Sequence, residues 1–458
     1  MNASGNTTVI VLVLLDLLGV VLIFNLNHFL ITDSLATNFL LTWKLVLIAA
    51  FTFLYFYLMD LYNFESILTQ LGMLERSFIA MVLTGITVAL TVYLLGPTFI
   101  GGFVGRGVLA ASLLMVWLWA LGWRYLLNHW IRSQRRMIEW LVITNGDTAD
   151  FVKHFRSFYA VERLLLLAPP ESAPEAFADP AIETPGTWHD LEQVLWERQV
   201  SGIIVMAPEN APEMLISRLM GIRISGVRIY TINDFYERFL ARLPVFQLDQ
   251  RWIATAHGFD LIHNPIGLRF KRYIDILIAL VGGLLLLPLI LLTALAVLIT
   301  SGRPVLYRQT RVGENGTPFT LIKFRTMINN AEARGAQFAA KNDPRTTLLG
   351  GIMRKFRLDE LPQLWNVLCG DMSFIGPRPE RPEFISQLSR DIPYYSLRHV
   401  VRPGITGWAQ VMHGYGDSSE DAAQKLQYDL FYIKNYSLML DISIIIRSIK
   451  VVFFGTGR

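Results

Sequence analysis

Five long apolar runs govern what this chain can fold into. Four fill its first third, at 9–31, 39–61, 78–100 and 108–130, and a fifth, 276–299, lies past the middle. Each approaches the roughly 20 residues an α-helix needs to cross about 30 Å of hydrocarbon. Of the 458 residues 53% are hydrophobic and only 17% charged, an excess of apolar side chains that suits lipid better than water. Disorder, collagen and coiled coil are excluded by the same composition. The first run has no basic n-region and no small-residue cleavage site, so it reads as a retained helix rather than a secretory signal. Asp16, Lys44 and Asp60 interrupt the runs and are expected near an interface or between helices.

Cations set the orientation. Lys44, Arg76 and Arg106 are scattered singly, whereas Arg124, Arg132, Arg135 and Arg136 crowd the exit of the fourth run. That excess places the exit in the cytoplasm, and four crossings return the amino terminus to the same side. The fifth run is preceded by Arg269, Lys271 and Arg272 and followed by Arg303, Arg308 and Arg311, so both of its ends ask for one face. Pro288 at its midpoint removes a backbone hydrogen bond and clashes with the preceding turn, which favours a break there. The expectation is a helix-break-helix over 273–300 that enters one leaflet and turns back, with an ordinary kinked span as the alternative.

Between the fourth and fifth runs the pattern changes to that of an α/β domain, 131–250, followed by a linker, 251–264. Buried parallel strands are read at 140–144, 202–206 and 227–231, with helices around 150–159, 188–199 and 211–222, a Rossmann-like alternation. The turn after the first strand, Thr144-Asn145-Gly146-Asp147-Thr148, is no Gly-rich phosphate fingerprint, so the sequence supports the fold and not a dinucleotide. The Pro-rich stretch 169–185 reads as a surface loop. The single cysteine, Cys369, excludes a disulfide framework and a Cys-rich metal site, and a net charge of +4 gives no reason to expect a nucleic-acid partner.

Chemistry concentrates after Arg303. Arg311-Val312-Gly313-Glu314-Asn315-Gly316 reads as a Gly-containing turn flanked by a cation. Lys323-Phe324-Arg325-Thr326-Met327 follows a short apolar strand, 319–322, on which Lys323 and Arg325 would share a face. In Arg354-Lys355-Phe356-Arg357-Leu358-Asp359-Glu360-Leu361-Pro362-Gln363, Pro362 is tolerable only if a helix begins near Asp359, with both carboxylates in its first turn. On that helix Leu358, Leu361, Leu364, Trp365 and Leu368 fall on one side, and Asp359, Glu360, Gln363 and Asn366 on the other. Adjacent acids at a helix start often only complement its dipole, but three cations just before them suit a metal and phosphate site. Arg378, between two prolines, and Arg402, in Arg402-Pro403-Gly404, are preorganised to grip phosphate oxygens. Tyr428, Phe431, Tyr432 and Tyr436, followed by Ile442, Ile445, Ile446, Ile449 and Val452 with Arg447 and Lys450, read either as an aromatic belt with an amphipathic surface helix or as a core helix.

Taken together these segments resemble the bacterial polyprenyl-phosphate sugar-1-phosphate transferases, the large monotopic phosphoglycosyl transferases that initiate exopolysaccharide or O-antigen assembly. The family's segments occur in order: the re-entrant helix, RxGxxG at Arg311, KFRTM at Lys323, LDELPQ at Leu358, GDMSxxGPRP at Gly370 and RPGxTGWAQ at Arg402, covering roughly 265–458. One departure is Leu287, where members commonly carry serine before the proline of the break. The resemblance implies three parts: an α-helical membrane bundle (1–130), a Rossmann-like α/β domain (131–250) and a mixed α/β monotopic transferase domain (265–458). It implies transfer of a hexose-1-phosphate, glucose or galactose, from a UDP-sugar to undecaprenyl phosphate with release of UMP. Asp359 would be the nucleophile that forms an aspartyl-phosphosugar; Glu360 would assist, the two carboxylates holding Mg2+. Arg311, Lys323, Arg325, Arg354, Arg378 and Arg402 would bind the substrate's phosphates. A bacterial inner-membrane location with the catalytic domain in the cytoplasm follows, and a homodimer is left open. Two other classes compete: a non-catalytic nucleotide-sensing regulator, opposed by the intact Asp359-Glu360 pair, and a membrane-tethered NAD-dependent sugar epimerase, opposed by the missing glycine fingerprint.

Overall fold

The computed structural model describes residues 2–32, 43–59, 61–62, 73–95, 106–134, 139–144, 148–158, 163–169, 182–198, 200–259, 264–328, 343–413 and 418–454. Asp60, Arg135, Arg136 and residues 145–147 of the first βα turn lie outside them. The chain divides into two compact units, Met1–Met137 and Ile138–Arg458.

The first unit is helical: α1 (Asn2–Thr32), α2 (Trp43–Leu58), α3 (Met73–Leu95) and α4 (Arg106–Gln134). Within α1, α3 and α4, the segments Ile10–Leu30, Met73–Tyr93 and Gly107–Trp130 are long and apolar enough to cross a membrane, while α2 is a shorter apolar helix. Helix α1 packs on α4 and α2 on α3. Leucines that a water-soluble bundle would bury, Leu14, Leu22, Leu90 and Leu118 among them, are exposed on the outside, the arrangement for lipid rather than water. This is the build of a membrane protein. Asp16 sits between helices, as expected of an intramembrane carboxylate, but its partner corrects the reading of Arg124 as part of a cationic exit. Arg124 is fully buried and grips Asp16 with both terminal nitrogens, at 3.0 and 2.8 Å. Tyr62 donates a further bond to the same carboxylate.

The second unit opens with five parallel strands, β1 (Glu139–Ile143), β2 (Arg163–Ala168), β3 (Ile182–Thr187), β4 (Val200–Val205) and β5 (Ile229–Thr231), in the order β3-β2-β1-β4-β5. Successive β1 side chains point to opposite faces: Trp140 and Val142 pack with Phe151, Phe155 and Phe235, and Leu141 and Ile143 with Leu191, Val194, Leu215 and Leu219. Burial on both faces explains why these strands read as continuous apolar runs. The Arg163–Ala168 strand carries the same signal and was not read from the sequence. Strand β3 corrects the end of the presumed surface loop, because Ile182 and Glu183 pair with Leu164 and Leu165 of β2.

A single helix, α5 (Pro265–Ser301), then runs through Pro288 without an interruption in its helical backbone, where the sequence suggested a break. Asn264 caps it by accepting from Gly267 N. It too is long and apolar enough to cross a membrane. Its first part is anchored by Lys271 to Asp441 at 2.8 Å, Arg272 to the Val367 and Leu368 carbonyls, and Asp275 to Ser373. Its last turn is held by Arg325, which donates to the Ser301, Gly302 and Arg303 carbonyls. The remaining elements build the body to which both ends attach: the hairpin β6 (Leu306–Val312) and β7 (Pro318–Phe324), helices α6 (Leu348–Lys355) and α7 (Gln363–Cys369), the parallel pair β8 (Ser373–Ile375) and β9 (Gly404–Thr406), and helices α8 (Ser419–Lys434) and α9 (Leu438–Phe454). Tyr428 and Tyr432 are almost wholly buried and Phe431 stacks on Trp408. This part of the proposed aromatic belt is therefore core.

Candidate active site: an acidic pair ringed by cations

The acidic pair occupies one tight 3-10 turn, Leu358–Glu360, ahead of α7 rather than inside it; Pro362 is the residue from which α7 starts. The turn is entered through Arg357, a non-glycine residue in the left-handed region at φ 54°, a conformation that costs about 1–2 kcal/mol. Both sides of the acidic turn and α7 are engaged, since Leu364 and Leu368 pack with the Ala279 and Met372 cluster and Leu358 and Leu361 with the Val297 and Met353 cluster. Asp359, Glu360, Gln363 and Asn366 are buried, whereas Trp365 is 62% exposed. The polar side faces the hairpin, where Asn366 accepts from Ile322 N at 3.1 Å and donates to Thr320 O at 2.8 Å. Side-chain amide bonds of this kind tie the acidic turn to β7.

Around Glu360 three cations converge: Arg378 at 2.7 Å, Lys323 at 3.7 Å and Arg357 at 3.9 Å. Burial pushes the Glu360 carboxyl up, but these charges outweigh it, led by Arg378, and hold it well below the usual carboxylate range. Asp359 behaves in the opposite way. Burial raises it, the neighbouring negative charge of Glu360 adds to the rise, and Lys323, Arg378 and Arg354 only partly oppose it. Among the described residues Asp359 has no hydrogen-bonding or ion-pair partner. Lys323 is brought down to about 8 by burial, against the pull of Glu360 and Asp359.

The other cations read from the sequence separate into two groups. Arg354 lies at the rim, bonded to the Thr326 and Thr346 hydroxyls, and contributes to the field at Asp359. Arg311 is held by the Pro379 carbonyl and lies 3.7 Å from Glu380, close enough for its charge to bear on Lys323. Arg325 is placed elsewhere. Its guanidinium is turned away from the acidic pair's cations and serves the carbonyls at the end of α5. Arg402 pairs with Glu314 of the hairpin turn at 3.1 Å and also lines a separate concavity of about 210 Å³ with Arg269 and Arg272. Arg357 joins the site although sequence reasoning credited only its neighbour Arg354. Its signal was the run of cations immediately before the acidic pair.

Among the described residues no three His, Cys, Asp or Glu side chains gather as a metal cage. The acidic pair nonetheless suits Mg2+, which commonly uses one or two carboxylates and completes its shell with substrate phosphates and water. Glu360 Oε2 is a buried acceptor with no hydrogen bond, 3.9 Å from the Arg357 guanidinium, and so keeps a lone pair for a cation.

The profile of the bacterial sugar transferase family matches residues 266–455. A UDP-N-acetylgalactosamine-undecaprenyl-phosphate N-acetylgalactosaminephosphotransferase of Aeromonas hydrophila is 43% identical over 234 residues, 51% of this chain and 54% of its own length. A UDP-glucose:undecaprenyl-phosphate glucose-1-phosphate transferase of Escherichia coli (strain K12) is 42% identical over 221 residues, 47% of this chain and 46% of its own. A protein of the same description from Caulobacter vibrioides is 41% identical over 194 residues, 42% of this chain and 72% of its own. The chain thus spans about half the length of the first two relatives.

Proposed function

The chain belongs to the bacterial sugar transferase family, and on that premise we propose that it moves a sugar-1-phosphate from a UDP-sugar to undecaprenyl phosphate and releases UMP. Glucose and N-acetylgalactosamine, the sugars in the relatives' names, are the first donors to assay. The observation that carries the reading is the division of labour in the acidic turn: Glu360 is clamped by cations while Asp359, next to it, is unpaired and raised. An unpaired carboxylate of raised basicity is the better nucleophile. One Asp359 oxygen attacks the donor's β-phosphorus; the bond from that phosphorus to the bridging oxygen breaks, and UMP departs with the electron pair. An oxygen of the polyprenyl phosphate then attacks the same phosphorus, the bond to Asp359 breaks, and the sugar-1-phosphate passes to the lipid. Lys323 and Arg378 keep Glu360 in place and bring positive charge beside anions that would otherwise repel one another. Mg2+ held at Asp359 and Glu360 would supply further cancellation of the diphosphate charge.

A lipid acceptor and a water-borne donor must meet at one membrane edge. We place α5 as a re-entrant element on the cytoplasmic side of the bacterial inner membrane, its two ends on one face. Both ends of α5 are tied to the transferase elements, Lys271 to Asp441 near its start and the Ser301 and Gly302 carbonyls to Arg325 at its end, and this supports the reading. UMP release by the purified protein in detergent, supplied with UDP-sugar, polyprenyl phosphate and Mg2+, tests the reaction. No release above a no-enzyme control with either donor overturns it.

A further inference from the structure

Arg378 reaches Glu360 from a turn whose conformation is set elsewhere. Pro379 confines Arg378 to extended backbone, and what then orients its peptide is a bond to its carbonyl. Arg398 supplies that bond at 3.0 Å. The Arg398 side chain is buried and its guanidinium is held from two further directions, by Tyr395 Oη at 2.6 Å and Asp429 Oδ2 at 2.8 Å. Burial lifts the Asp429 carboxyl to about 6 although Arg398 opposes the rise, so at neutral pH the bond is charge-assisted. None of the motifs that carry the family resemblance contains Arg398 or Asp429.

Asp429 belongs to α8, and α8 is gripped along its length by the end of the α/β layer. Leu243 N donates to Gln427 O at 3.0 Å, Arg242 lies over the Tyr428 ring at 5.8 Å, and Glu237 binds Lys434 at 2.6 Å. Trp408, stacked on Phe431, donates to Ala241 O at 2.8 Å.

We propose that Arg398, locked by Asp429, is a positioning residue that sets Arg378 against Glu360, and that the α/β layer supports this bearing by holding α8. The inference rests on the reaction proposed above only for its kinetic test. In the full chain, Arg398→Gln lowers kcat by about tenfold or more, and the Arg378→Gln/Arg398→Gln pair is no slower than Arg378→Gln alone, because a residue acting through another adds nothing once that other is gone. Arg398→Lys keeps the charge facing Asp429 but loses the fork that reaches all three acceptors, so it folds with a lowered melting temperature and still loses rate. Losses that multiply in the double variant, or an Arg398→Gln enzyme at wild-type kcat, overturn the proposal. A wild-type protein with no turnover sinks the reaction instead, and positioning is then read by hydrogen exchange. Faster exchange of the 373–381 peptide in Arg398→Lys supports it, and unchanged exchange overturns it.

Discussion

Two carboxylates one peptide bond apart are driven in opposite directions by what surrounds them, and the chemistry proposed for this chain depends on that separation. Asp359→Asn keeps the shape and removes the nucleophile; UMP release is expected to fall to background, and no phosphosugar adduct should be found on the protein by mass spectrometry. Arg378→Gln removes a charge-assisted bond to Glu360 and is expected to lower kcat roughly a hundredfold to a thousandfold. Lys323 gives the pH dependence. Its ammonium, brought to about 8, is charged on the acid side of that value and neutral on the alkaline side, so kcat/KM declines as pH rises through about 8. Lys323→Arg, charged throughout, flattens that limb in a pH-rate profile. The identities of Asp359, Glu360, Lys323 and Arg378 were legible in the sequence because each sits in a segment of unusual residue density. The placement of Arg325 was not. It turned on the Ser301, Gly302 and Arg303 carbonyls that take its guanidinium, partners more than twenty positions away that the strand pattern does not show.

Among the elements, the close pairing of β8 and β9 brings the Arg378 turn and the Arg402 loop together. Gly376 lies where a side chain would meet the Arg402 carbonyl and the Gly404 nitrogen. Gly376→Ala is expected to cost about 1–3 kcal/mol by overpacking, seen as a lower thermal midpoint in detergent, whereas Gly351→Ala, inside α6 with open space around it, raises the midpoint slightly. For α5 the test is topological. In a Cys369→Ser background, cysteines placed at Arg269 and Arg303 should react with an impermeant maleimide from the same face; labelling from opposite faces would make α5 a crossing helix. The periodicity of α7 correctly separated a polar from an apolar side. What it could not convey is that the polar side is buried as well, because Asn366 bonds the β7 backbone while four of the five apolar residues also pack into the core and only Trp365 stays outside.

At the scale of the whole molecule the chain is two units, each with its own way of burying charge. In the first, Asp16 and Arg124 are both sealed from solvent. Asp16→Ala strands the guanidinium and is expected to destabilise that bundle by about 3–5 kcal/mol, while Asp16→Leu with Arg124→Met recovers most of the loss; proteolysis rates of the reconstituted protein measure both. In the second unit the α/β layer and the transferase elements share one body, joined through α8. Nothing in the composition of 419–434 marked it as a strut, because the aromatic residues that the α/β layer grips are the same kinds a membrane belt would use. The apolar runs and their cationic borders are local properties, so the sequence alone marked a membrane protein and pointed to a candidate site after residue 303. Tertiary structure decided how Arg378 reaches the acidic pair, which partner Asp16 takes and what the polar side of α7 packs against, because these contacts join residues 18, 108 and 44 positions apart and leave no periodic trace along the chain.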